Sequence, residues 1–116
     1  MWTVLYYIIC RLYKSNRTPM IHDIIKLVLE QVQIFKNKDE IYHYIENLIK
    51  SKLIRVIYIN KDKLDEQTLL VPTDDDKCET IIKVVEETAR RRITFFDEVI
   101  RQLVDAVVCY VDCSSF

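Results

Sequence analysis

The apolar positions of the chain change from a helical to a strand-like period, and back again, between residues 37 and 73. In the first part of this stretch, apolar residues return every three or four positions along one helical stripe: Ile41, Ile45, Leu48 and Ile49. Asn37 suits the N-cap of this helix, and Glu40, three residues further on, can complete a capping box. We therefore expect a helix at about residues 37–52.

The following run is typical of β-structure. From Leu53 the sequence reads Leu-Ile-Arg-Val-Ile-Tyr-Ile, which is rich in β-branched and aromatic residues, and a second apolar run begins at Thr68. A polar tip at residues 60–67 separates the two runs. Two short strands joined by a loop predict a β-hairpin at about residues 53–72.

Helices are expected on both sides of this stretch. Residues 2–15 and 20–34 are amphipathic, and Thr18 and Pro19 suit the start of the second helix. Thr73, followed by three aspartates, can cap a further helix and places negative charge at its positive end. The order of helix, helix, helix, hairpin and helix predicts a mainly α fold with a small β-hairpin (α+β).

The C-terminal segment, residues 73–116, predicts one long helix, since neither proline nor glycine interrupts it after residue 73. Its apolar residues recur at spacings of three and four: Ile82, Val85, Ala89, Ile93, Phe96, Ile100, Leu103 and Val107. At 1.5 Å per residue such a helix would be roughly 50 Å long, too long for a head formed by residues 1–72 to cover. We expect part of this face to meet a second chain. The alternative is a break at residues 88–94 that folds the segment back on its own head as two helices.

This order of elements, with its apolar spacings, resembles the winged helix-turn-helix DNA-binding proteins over residues 5–110. The PadR-like family is the most similar, and small winged-helix proteins of crenarchaeal viruses look similar too. In PadR-like proteins a Leu-Tyr-x-x-Leu-x-x-Leu helix, a Leu-Ile strand start and a Leu-Thr helix start recur. The matching positions here are Ile41, Tyr42, Ile45, Leu48, Leu53, Ile54, Val71 and Thr73, while Lys52 stands where the family usually has glycine. The resemblance implies a dimeric transcriptional regulator, with the helix at 37–52 in the major groove of double-stranded DNA and the hairpin as a flanking wing.

Candidate DNA-binding residues follow from this resemblance. Tyr42 and His43 lie off the apolar stripe near the start of the recognition helix, where side chains meet base edges. Lys36 and Lys38 flank the helix N-terminus, which favours an anion such as phosphate. Further candidates for backbone contact are Arg17, Asn47, Lys50, Lys61 and Lys63.

Acidic residues near these candidates favour a different function. Asp62, Asp65 and Glu66 dilute the positive charge of the wing, and Asp39, Glu40 and Glu46 that of the helix. The competing hypothesis is a winged-helix protein-interaction module, or a subunit of a larger assembly, that does not bind DNA.

The net charge of −1 conceals an asymmetry between the two parts of the chain. Residues 1–72 hold 11 Lys/Arg and 8 Asp/Glu, a net of +3, whereas residues 73–116 hold 6 and 10, a net of −4. Lysine and arginine on phosphate supply most non-specific DNA affinity. A head of +3 therefore predicts weak binding unless two heads act together in a homodimer.

Composition narrows the remaining classes. A chain of 116 residues that is 50% hydrophobic and 30% charged suits one folded unit. The chain contains no glycine, which argues against Gly-rich phosphate loops. We expect the protein not to be an enzyme, and we expect it to bind no cofactor and no small-molecule ligand. The apolar run at residues 2–10 is too short to span a bilayer and lacks the charged start of a signal peptide. We therefore expect no membrane association and a cytoplasmic location, in the host cell if the protein is viral.

The chain has four cysteines: Cys10, Cys78, Cys109 and Cys113. They lack the close Cys-x-x-Cys pairs of zinc sites, and we expect no bound metal. In a reducing cytosol all four would be small buried hydrophobes. The resemblance to viral proteins implies instead a disulfide between subunits at Cys109 or Cys113.

Overall fold

The computed structural model describes residues 2–59, 63–91 and 95–113. Their elements, in order, are α1 (Trp2–Lys14), α2 (Ile21–Ile25), a π-helical segment (Lys26–Gln31), α3 (Lys38–Lys50), β1 (Ile54–Tyr58), β2 (Leu69–Pro72), α4 (Asp75–Arg91) and α5 (Phe95–Cys113). This mainly helical fold with a small two-stranded antiparallel sheet confirms the α+β prediction. Within the described residues, no helix has the length and apolar character needed to cross a bilayer.

The first helix lies at the centre of the molecule. It packs against α2, α3, α4, α5 and β2. These contacts on several sides explain why few polar residues interrupt the apolar run at residues 2–10. Most of its side chains are buried: Val4, Leu5, Tyr6, Tyr7, Ile8, Ile9, Cys10 and Leu12. A short helix surrounded by other elements needs an apolar surface on most sides.

The start of α3 agrees with the predicted cap. The Asn37 side chain accepts a hydrogen bond from the Glu40 backbone N–H at 3.0 Å. The Glu40 carboxylate in turn accepts from the backbone N–H of Lys36 at 3.2 Å, one residue before the position that a capping box would use. The N-terminus of α3 is thus fixed by local side-chain contacts.

The end of α3 is closed by a lysine in a glycine-like conformation. Lys52 has φ of 62°, and its N–H donates to the carbonyl of Ile49 while Leu53 N–H donates to that of Leu48. These two bonds form a Schellman motif, whose left-handed residue is usually glycine. The same conformation recurs at Asn16 after α1, so this chain without glycine ends two helices by using other residues.

The predicted hairpin is present and is tied to the start of α2. Strands β1 and β2 pair antiparallel, with an irregularity between Val56 and Tyr58. On the other side of β2, Met20 forms a bridge with Leu69. This backbone pairing fixes the position of the hairpin relative to the first two helices. The predicted helix at residues 20–34, by contrast, turns π-helical at Lys26 and ends at Gln31.

Thr73 does not cap α4 as predicted. The Asp74 carboxylate accepts from the Lys77 N–H at 3.1 Å and takes the capping role. The Thr73 hydroxyl instead donates to the backbone carbonyl of Lys52, at 2.6 Å, with that of Leu53 at 3.2 Å. The residue therefore joins the end of β2 to the turn after α3.

The prediction of one long C-terminal helix is also wrong. The segment forms α4 and α5 on either side of residues 92–94, and the two helices pack against each other. Helix α5 also contacts α1 and the π-helical segment. The alternative, in which the segment folds back as two helices, thus describes the fold.

Folding back buries the stripe that was expected to dimerise. Five of its residues are buried in the chain's own core: Val85, Ala89, Ile100, Leu103 and Val107. Ile82 is half-buried, whereas Ile93 and the side chain of Phe96 lie outside the described residues. The fold thus removes this apolar surface from water within one chain. A dimer would bury a similar surface only by also losing the translational and rotational entropy of a second chain.

A disulfide between Cys10 and Cys78 joins α1 to α4 and was not predicted. Both residues are fully buried. Cys109 is exposed on α5, and the side chain of Cys113 lies outside the described residues. The disulfide between subunits stays a prediction.

Candidate nucleic-acid interface

The outward side of α3 carries polar side chains on successive turns. His43, Asn47 and Lys50 are all exposed, while Ile41 and Ile45 on the opposite side are buried. The Asn47 amide nitrogen lies 3.5 Å from His43 Nε2. The structure therefore brings three of the predicted DNA-binding residues together on one face.

Tyr42 lies on a different side of α3 from His43, because neighbouring helical residues point about 100° apart. Tyr42 is half-buried. Burial is the largest cause that raises the pKa of its hydroxyl, and the carboxylates of Glu66, Asp65 and Asp39 raise that pKa further. A phosphate would be repelled by the same carboxylates. We therefore expect Tyr42 to pack beside the loop before β2 and to contribute little to DNA contact.

The two lysines at the start of α3 differ in their surroundings. Lys38 Nζ lies 3.6 Å from Glu66 Oε1, which is also 3.7 Å from His22 Nδ1. Lys36 is exposed, and within the described part of the chain no carboxylate lies within 4 Å of its ammonium group. Of the two predicted phosphate ligands, Lys36 is therefore the one whose charge is less engaged by the fold.

Two acidic residues before β2, Asp65 and Glu66, are engaged by other groups of the fold. Glu66 is held by Lys38 and His22. The Asp65 carboxylate accepts from the Gln67 N–H at 2.8 Å and so stabilises the turn before β2. These carboxylates oppose DNA less than their number in the sequence suggested.

Two cations near the end of α3 were missed by the sequence analysis. Lys52 follows the helix and Arg55 lies on β1, and both are exposed. The signal for Arg55 was present, since it interrupts an apolar strand and alternation directs it away from buried Ile54. We group these two cations with the exposed residues of α3 as the α3 surface: His43, Asn47, Lys50, Lys52 and Arg55.

Two other predicted DNA-binding residues, Lys61 and Lys63, fall in the sequence between β1 and β2. Lys63 is exposed, whereas Lys61 lies outside the described residues. Asp39 and Glu46 are exposed acids on α3, and they lower the net charge that DNA would meet there.

Arg17 is engaged elsewhere in the fold. Its guanidinium carbon lies 4.9 Å from the centre of the Tyr110 ring, and the Tyr110 hydroxyl hydrogen-bonds to Asp23. Because α5 folds back over this turn, Arg17 packs against it. We therefore assign Arg17 to the packing of α5 and leave it out of the α3 surface.

No protein family, curated protein or solved structure matches this chain. Within residues 2–59, 63–91 and 95–113, no three His, Cys, Asp or Glu side chains come close enough together to hold a metal ion.

Proposed function

We propose that the protein is a winged helix-turn-helix DNA-binding protein in which α3 enters the major groove and the β1–β2 hairpin flanks it. The observation that carries this proposal is the polar face of α3, where His43, Asn47 and Lys50 are exposed on successive turns. The order of three helical regions, a hairpin and further helices supports it. A pair of such heads on related half-sites would act as a transcriptional regulator.

The side chains of the α3 surface suit different parts of a DNA duplex. An α-helix fits the major groove, where an asparagine amide pairs well with adenine and an imidazole can reach base acceptors or donors. Asn47 and His43 are therefore the proposed base-reading pair. Lys50, Lys52 and Arg55 are proposed to contact phosphates and to set the position of the helix.

The charge of this surface predicts modest, salt-sensitive binding. If Lys36 and the three cations of this surface contact phosphate, about four in all, the slope of log K against log salt is about −3.6. Affinity would then fall roughly 100-fold between about 50 mM and about 200 mM salt. Asp39 and Glu46, both exposed on α3, keep the affinity of a single head low.

The test is fluorescence anisotropy with a mixed-sequence duplex at these two salt concentrations. The Lys50→Glu/Arg55→Glu double variant should lose binding. The Lys83→Glu/Arg90→Glu variant makes the same charge change at exposed positions of α4, and should bind nearly as well as the wild type. Equal loss in both variants would show a non-specific charge effect, and an absence of binding at low salt would refute the proposal.

The second candidate is a protein-interaction module with the same fold. It is favoured by the exposed apolar end of the β1 region, where Ile57, Tyr58 and Ile59 are 48%, 53% and 38% exposed. A protein partner, unlike DNA, would not be repelled as a class by the exposed carboxylates of Asp39 and Glu46 on α3. Absence of salt-sensitive DNA binding, with the fold intact by circular dichroism, would favour this candidate.

A further inference from the structure

An apolar groove lies on the outer side of α1 and α4. It has a volume of about 320 Å³, and its apolar walls include Trp2, Tyr6, Leu53, Ile81 and Val84. Trp2 is 46% exposed and Val84 is 51% exposed. Two large apolar side chains that stay in water beside one groove indicate a contact surface.

Tyr6 contributes to the groove wall, while its hydroxyl is buried in the fold. The Tyr6 residue is only 3% exposed, and its hydroxyl makes no hydrogen bond to any described residue. Leaving a buried hydroxyl unpaired costs about 1–3 kcal/mol relative to a paired one. Because the hydroxyl has almost no accessible surface of its own, Tyr6 adds apolar surface to the groove, and the groove suits an apolar occupant.

We propose that this occupant is a second copy of the chain, related by a two-fold axis. In this dimer the exposed ring of Trp2 of each protomer packs into the apolar groove of its partner. A two-fold interface needs the same patch to supply both the inserted group and the receiving surface. Trp2 and the groove beside it meet that requirement.

The charges on the edge of the groove are also self-complementary. Asp76 and Lys77 are neighbours on α4, line the groove and are both exposed. In the proposed dimer the two-fold axis passes beside this pair, so that Asp76 of one protomer faces Lys77 of the other and the contact occurs twice. An acidic partner would meet Asp76 and a basic partner would meet Lys77, so a second copy is the occupant that matches both.

The groove is preformed, because α1 and α4 are joined at several points. The Cys10–Cys78 disulfide connects them, and Lys14 Nζ lies 3.1 Å from Asp75 Oδ2. Rigid surfaces lose little freedom when they dock. This surface replaces the stripe on the C-terminal helices as the proposed dimer contact, since that stripe is largely buried within the chain.

The proposal rests in part on the proposed function, because two heads joined here would supply the affinity that one weakly charged head lacks. The interface itself can be tested without DNA. Sedimentation equilibrium over a range of protein concentrations would compare the wild type with Val84→Glu, and with Gln102→Glu as the matched control. Gln102 is exposed on α5 and receives the same added charge.

We expect dimers for the wild type and for Gln102→Glu, and monomers for Val84→Glu with an unchanged circular dichroism spectrum. A wild type that is monomeric at all concentrations, or a Val84→Glu variant that dimerises as the wild type does, would overturn the proposal. A charge exchange gives an independent test. Asp76→Lys alone should weaken the dimer several-fold, and Asp76→Lys/Lys77→Asp should restore it; a double variant as weak as the single one would also overturn it.

The two proposals fail in different ways. A dimer that Val84→Glu disrupts, but that binds no DNA at low salt, would refute the proposed function and leave the interface standing. A monomeric wild type that binds DNA through the α3 surface would refute the interface and leave the function standing.

Discussion

Cys10 and Cys78 form a disulfide that joins the middle of α1 to the first turn of α4, with their Cα atoms 5.3 Å apart. The bond spans 68 positions of the sequence, and closing a loop of that size removes much freedom from the unfolded chain. The expected stabilisation is about 4 kcal/mol. The Cys10→Ala/Cys78→Ala variant should therefore unfold at a clearly lower denaturant concentration, measured by circular dichroism in guanidinium chloride.

Gln102→Ala provides the control, because Gln102 is exposed on α5. It should keep the unfolding midpoint of the wild type. Equal midpoints for the wild type and the double alanine variant would show that the disulfide adds no stability.

Lys52→Gly should stabilise the protein. Lys52 adopts φ of 62°, where a side chain with a Cβ costs about 1 kcal/mol and glycine does not. The gain should be about 1 kcal/mol, or about 4 °C in Tm, measured by thermal unfolding. Lys50→Gly lies inside α3, and there glycine should lower stability by about 1 kcal/mol. A lower Tm for Lys52→Gly would contradict the assigned role of this turn.

Alkaline pH should destabilise the protein through Tyr7. The Tyr7 hydroxyl donates to Glu86 Oε2 at 3.0 Å, and burial, followed by the Glu86 carboxylate, raises its pKa far above the usual 10.0. The folded state holds this proton more tightly than the unfolded state. The free energy of unfolding should therefore be independent of this group below about pH 10, and should fall by about 1.4 kcal/mol per pH unit above it.

Urea unfolding at a series of pH values would measure this slope. Tyr7→Phe should make the decline above pH 10 shallower, because the group that titrates has been removed. Tyr6, Tyr42 and Tyr110 also have raised pKa values, so part of the decline should persist. An identical slope in wild type and variant would exclude Tyr7 as a source.

Arg17→Ala should affect stability more than DNA binding. The Arg17 guanidinium packs on the Tyr110 ring, a contact expected to contribute about 1 kcal/mol. Thermal unfolding should show a lower Tm, while the salt dependence of DNA anisotropy should match the wild type. Lys50→Ala should instead leave the Tm unchanged and reduce the salt dependence of DNA binding. A smaller salt slope for Arg17→Ala would return this residue to the set of phosphate ligands.

The sequence by itself determined the local elements. Asn37 caps α3 through a bond to a residue three positions away, and the buried Ile41, Ile45 and Leu48 follow the helical period. The hairpin follows in the same way from two β-prone runs. These features depend on neighbours along the chain, and spacing and residue type are sufficient to predict them.

Tertiary structure alone decided which distant residues meet. The apolar stripe after residue 80 suits a dimer contact as well as a helical pair folded on its own core, because both remove the same surface from water. The hydrogen bond between Tyr110 and Asp23 spans 87 positions, and the pairing of Cys10 with Cys78 spans 68. No local period encodes such contacts. They exist because α5 folds back over the first two helices and α4 packs along α1, and this packing also left Trp2 and Val84 exposed beside one groove.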